Sequence, residues 1–192
     1  MKQQKQIETF LQNAFGKAKA APLFARQTEI LSALTGRIQN KTENQRKTLT
    51  ETILPRIALY KALQESGFPD SKVNAHMLDY MLRIVAAQKH AFTANLEWIP
   101  GFYSLYSHIF LNIVRKSDLW KSEQTHTKNT FSVTMKKCLW HTACEENGCP
   151  ELCHLFCEVD NVTYGGLRKI GFTRTKTLGY GGDCCDFQFY KK

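Results

Sequence analysis

All seven cysteines of the 192-residue chain fall after residue 130: Cys138, Cys144, Cys149, Cys153, Cys157, Cys184 and Cys185. A thiol does chemistry as a thiolate attacking an electrophilic carbon, or as a ligand to a soft metal ion. Attack needs a depressed pKa, from a helix N-terminus, a cation or a paired imidazole. Cys149 precedes Pro150 at the predicted start of a helix over 150–158, in a turn that reads as exposed. Cys157 stands near that helix's negative end. Cys185 follows "GYGGDC", whose backbone N–H groups can face an anion. His141 and His154 are the nearest candidate bases. Structural zinc usually takes two ligand pairs, each on a tight turn. Here Cys149, Cys153 and Cys157 recur every four residues along one helical face, with no second knuckle. No metal site or cofactor is assigned, and a divalent cation is left open. The plain alternative is that these thiols fill a core, since cysteine is among the most buried residue types.

Two alternating segments frame the thiols. "FSVTMKKC" sets Phe131, Val133 and Met135 against Ser132, Thr134 and Lys136, and "CDFQFY" sets Cys185, Phe187 and Phe189 against Asp186, Gln188 and Tyr190. "FTRTKT" at 172–177 alternates too, so an antiparallel sheet of at least three strands with a crossing helix is expected. Residues 2–116 read as helices. Leu49, Ile53, Leu54, Ile57, Ala58 and Leu63 keep near-helical spacing, Pro55 kinks or restarts that helix, and Gly67 stops it. Asp70 is expected to cap the next helix, whose Val73, Met77, Met81, Ile84 and Val85 share a side. Tyr103 and Tyr106 read as packed rings, and the polar stretch 117–130 as a connection. The expected fold is α+β, one domain over 1–192: a helical part over 1–130 packed on a cysteine-rich sheet part over 131–192.

The net charge is +9, and its surplus lies almost wholly before residue 131. No Lys/Arg block or RNA-binding signature accompanies it, so nucleic acid is not an expected partner. The basic surface suits a small anionic substrate. The N-terminal stretch lacks the apolar run of an export signal, and no run approaches a membrane span; no membrane and a reducing cytoplasm are the expectations. The oligomeric state is left open.

"TILPRIALYKALQESG", "IPGFY", "KKCLWHTACEENGCPELCHLFCEVD" and "FTRTKTLGYGGDCCDFQF" resemble, in this order, the L-2-amino-thiazoline-4-carboxylic acid hydrolase family, from about residue 45 onward. The resemblance implies hydrolysis of a cyclic isothiourea carboxylate to N-carbamoyl-cysteine. It selects Cys138, Cys157, Asp160, Arg174, Asp183, Cys185 and Asp186, and passes over Cys144, Cys149, Cys153 and Cys184. In that reading Cys157, Cys185, Asp183, Asp160 and Cys138 are catalytic candidates. Arg174 grips the carboxylate, and an acid such as Asp160, Asp183 or Asp186 pairs with the amidinium, with Asp186 placed among the substrate-binding residues. Either a thiolate or an activated water attacks. Cys138, Cys157 and Cys185 should cluster, while Cys144, Cys149 and Cys184 should be the accessible thiols. A ligand-binding module without turnover, or a thiol or metal sensor, are the alternatives.

Overall fold

The chain is described over residues 2–192 by a computed structural model. Its helices are α1 (Lys2–Phe15), α2 (Lys17–Gly36), α3 (Glu43–Thr48), α4 (Leu54–Glu65), α5 (Asp70–Leu78), α6 (Ala87–Leu96) and α7 (Phe102–Lys116). Then come β1 (Trp120–His126), β2 (Thr130–Cys138), α8 (Leu139–Glu146), α9 (Cys153–Tyr164), β3 (Ile170–Thr173) and β4 (Cys185–Lys191). The fold is α+β, as the change of periodicity implies. Packing divides it into two units: residues up to Tyr80 with Ala143–Leu152, and Met81–Thr142 with Cys153–Lys192. The packing units thus do not follow the change of periodicity near residue 131: the first crossing lies at residue 80, and the first unit takes Ala143–Leu152 back.

In the first unit α1 and α2 pack together and α2 lies along α4. Every residue from Leu54 to Leu63 except Lys61 is buried, so α4 is a central helix covered on all sides. Thr42 opens α3 with a capping box, its hydroxyl accepting from the Gln45 N–H while the Gln45 side chain accepts from the Thr42 N–H. Pro55 lacks the N–H that a helix interior needs; the chain answers with a π-helical turn, Leu49–Ile53, and restarts α4 with Pro55 in its first turn. Asp70 is not a cap. It occupies the first helical position after Pro69 and supplies negative charge to the first turn instead.

In the second unit the sheet order is β1-β2-β4-β3, every pair antiparallel. Across β2 and β4, Phe131 faces Phe189, Val133 faces Phe187 and Met135 faces Cys185, and all six are buried. The expected alternation is therefore the core face. Phe131 and Phe189 stack at 4.6 Å, and Phe110, Tyr164 and Phe172 close around Phe189. From α7, Tyr103, Leu111 and Val114 complete this core. The stretch expected as a connection contains β1, an edge strand with one face exposed and the other only half-buried; that inner face carries Ser122 and Gln124 beside Trp120, so the sequence shows no apolar alternation. β3 ends at Thr173 rather than at 177. Beyond it the Asp186 carboxylate accepts from the Thr175 and Lys176 N–H groups and the Thr175 hydroxyl, replacing strand pairing with a side-chain clamp. The helix expected over 150–158 begins as a 3₁₀ turn, Pro150–Leu152, and continues as α9 to Tyr164.

Candidate functional site

The second unit gathers four thiols from three elements. Cys138 ends β2, Cys153 and Cys157 stand one turn apart on α9, and Cys185 opens β4. Cys153 and Cys157 are hydrogen-bonded to each other, and Cys185 lies within electrostatic reach of Cys138, Cys153 and Cys157. A 3₁₀ turn, Leu178–Tyr180, covers them. Its Leu178 N–H donates to the Cys185 sulfur at 3.4 Å, so the backbone donor expected near this thiol is supplied by a leucine rather than by the glycines. Gly179 lies so close that an added Cβ would stand 2.7 Å from Cys157 Sγ and 3.1 Å from the Cys153 backbone. Tyr180 donates its hydroxyl to Glu158 at 2.9 Å, tying the turn to α9, and the His154 ring packs on it.

Cys138, Cys157 and Cys185 hold their protons. The bond from Cys153 and burial push Cys157 well up, although the Thr177 hydroxyl works the other way. Burial pushes Cys138 up to about 12 against the backbone donors of His141 and Trp140, and raises Cys185 as well.

Arg174 lies beside the thiols. Although "FTRTKT" reads as an alternating strand, the chain leaves β3 at Thr173 and the Arg174 side chain is only 4% exposed. Its Nη2 donates to the Cys157 carbonyl at 3.2 Å and to Asn161 Oδ1 at 3.1 Å, while Nη1 stands 3.5 Å from Asp160 Oδ2. Nη1 itself makes no hydrogen bond. The guanidinium also sits over the Phe187 and Phe172 rings, at 5.4 and 6.0 Å. The Asp160 side chain is 28% exposed, and burial raises its pKa to about 6 despite Lys89 and Arg174. Tyr106 and Tyr164, hydrogen-bonded to each other, lie within electrostatic reach of it.

The model of the L-2-amino-thiazoline-4-carboxylic acid hydrolase family matches residues 45–189. The chain belongs to this family. No curated protein matches it. Among solved structures, a mutant H-NOX protein from S. oneidensis in the Fe(II) ligation state is similar at 13% identity with a TM-score of 0.36, over 98% of this chain and 93% of that one.

Of the seven residues that the family resemblance selects, Cys138, Cys157, Cys185, Asp160 and Arg174 come together. The other two do not join them. Asp183 is an exposed side chain, 70% accessible, paired with Lys176 at 2.6 Å, and Asp186 is spent on the Thr175–Lys176 clamp. Cys153, passed over by the resemblance, sits inside the cluster; the four-residue spacing to Cys157 was the signal that places it there. The expected order of accessibility is reversed: Cys144, Cys149 and Cys184 are buried, while Cys138 and Cys157 are half-buried. Cysteine behaves here as a small apolar residue, and even the turn before Pro150 buries its thiol. Among the described residues no group of three or more His, Cys, Asp or Glu side chains is arranged to hold a metal ion, and no helix is long and apolar enough to cross a membrane.

Proposed function

We propose that the protein hydrolyses a small cyclic amidine or isothiourea bearing a carboxylate, such as L-2-amino-thiazoline-4-carboxylate, with Asp160 and Arg174 at the centre of the chemistry. The observation that carries this reading is the pair itself: a partly exposed carboxyl poised near neutrality beside a buried guanidinium with one unused donor. Arg174 Nη1 holds the substrate carboxylate. Asp160, ionised above pH 6, takes a proton from the attacking water as oxygen bonds to C2, and passes it to the ring nitrogen. The C2–S bond then breaks; the hydroxyl proton leaves through Asp160 to the released sulfur, giving N-carbamoyl-cysteine. One water is consumed and every proton is placed.

Water attack is preferred over thiolate attack because the thiols keep their protons in this arrangement. In this account Cys157 and Cys185 form the wall behind the reacting centre. Asp183 and Asp186 take no part. The test is product formation by purified protein, comparing Asp160→Asn with Cys157→Ala: the first abolishes turnover, the second leaves most of it in the folded fraction. The reverse result would assign the attack to the thiol.

A further inference from the structure

A groove of about 670 Å³ lies wholly within the first unit, walled by α2, the loop after it, α4 and the end of α8. Much of it, from Arg26 to Lys41, precedes the segment matched by the family. Its floor is apolar: Ile30, Leu34, Leu49 and Leu54 are all buried there. Its rim is basic. Arg26 is held by Glu29 at 2.8 Å and Glu65 at 2.6 Å, and Lys41 by Glu146 at 2.7 Å. Arg37 and Lys61 also line the groove, and among the described residues neither side chain has an ion-pair or hydrogen-bond partner.

We propose that this groove binds a small amphipathic anion, its apolar body on Ile30, Leu34, Leu49 and Leu54 and its carboxylate or phosphate between Arg37 and Lys61. The volume is that of a small-molecule site, and an apolar floor lies beneath a rim in which nine of the fifteen lining residues are polar or charged, a combination that suits an amphipathic ligand rather than a wholly apolar one. The pairing pattern selects the sign of the ligand. Two of the four cations are already neutralised by carboxylates, and the two left open give the groove a net positive rim. A neutral ligand would leave both unmatched, and a cation would meet them directly. A hydrophilic anion would gain nothing from the floor.

The test uses the full chain and decanoate as probe, by isothermal titration calorimetry, with inorganic phosphate as the comparison. Decanoate binds at a single site, and its affinity falls as salt rises. The double substitution Arg37→Ala with Lys61→Ala weakens it about tenfold, as two lost exposed charge contacts should. Ala33→Trp, which fills the groove from the exposed side of α2, abolishes binding; it also keeps the test alive should the double variant misfold. No binding at millimolar decanoate overturns the proposal. So does binding that neither variant alters, which places the probe elsewhere. Phosphate binding as tightly as decanoate overturns the amphipathic class.

Discussion

The thiol cluster of the second unit and the groove of the first unit are built in opposite ways. The first is chemistry without slack: Gly179 leaves no room for a methyl group above Cys157, and Cys153 and Cys185 are buried. The second is space without a nucleophile, about 670 Å³ with aliphatic side chains below and charged and amide side chains around the rim. Family membership draws attention to the cysteines, yet Cys153 and Cys185 are buried and Cys138 and Cys157 are half-buried. Asp160 is partly exposed as well, and its side chain is the one whose pKa lies near 6. Reactive residue types and reactive positions are thus different things. The packing around each group, rather than its identity, decides whether it can turn over a substrate.

The contrast can be broken most severely at Gly179. Gly179→Ala should destabilise the fold by about 1–3 kcal/mol, since its Cβ meets Cys157 Sγ and the fixed Cys153 backbone. Adding Cys157→Ala should restore part of that loss in chemical denaturation, because only the sulfur contact is relieved. Gly171→Ala is the control: the three atoms nearest its Cβ all belong to the ring of Tyr190, an exposed side chain that can swing away, so it should cost far less. Equal losses at the two glycines would show that the turn over the thiols is not tightly packed.

Asp160 gives the next largest effect. Its pKa in the folded protein is raised from 3.8 to about 6, so the folded state binds more protons than the unfolded chain between those values. Stability should therefore fall as pH rises from about 4 to 6, by on the order of 1 kcal/mol for this partly exposed group. Asp160→Asn should flatten that slope. A slope unchanged in the variant would place the titration elsewhere.

The sheet core was open to sequence reading because burial on one face imposes a period of two on Phe131, Val133, Met135 and on Cys185, Phe187, Phe189. β1 was not, because its inner face is only half-buried and carries Ser122 and Gln124, so burial of that face imposes no apolar period. The convergence of Cys138, Cys157 and Cys185 could be expected from motif order alone. The place of Arg174 could not: alternation put it on a strand face, and only the Asp186 clamp ends the strand and turns the guanidinium inward. Local pattern reports which side of an element is buried. It does not report where an element stops when a distant carboxylate supplies the hydrogen bonds.

Smaller effects sharpen the same contrast. Under native conditions a thiol reagent should modify Cys138 and Cys157 slowly, and Cys144, Cys149, Cys153, Cys184 and Cys185 only on unfolding, as mass spectrometry of timed samples would show. Rapid labelling of Cys184 or Cys149 would mean that the turns around them open freely. Asp183→Ala should be nearly silent in both stability and turnover, since its pair with Lys176 is solvent-exposed on both sides. A large loss of turnover there would return Asp183 to the active site.

The central claim is that Asp160, and not a thiol, handles the protons. The pH profile of kcat/KM for 2-amino-thiazoline-4-carboxylate tests it most directly. The account predicts a rise through about pH 6 in the native protein and in Cys157→Ala, with turnover lost in Asp160→Asn by roughly a hundredfold or more. Turnover that survives in Asp160→Asn but vanishes in folded Cys157→Ala would contradict it.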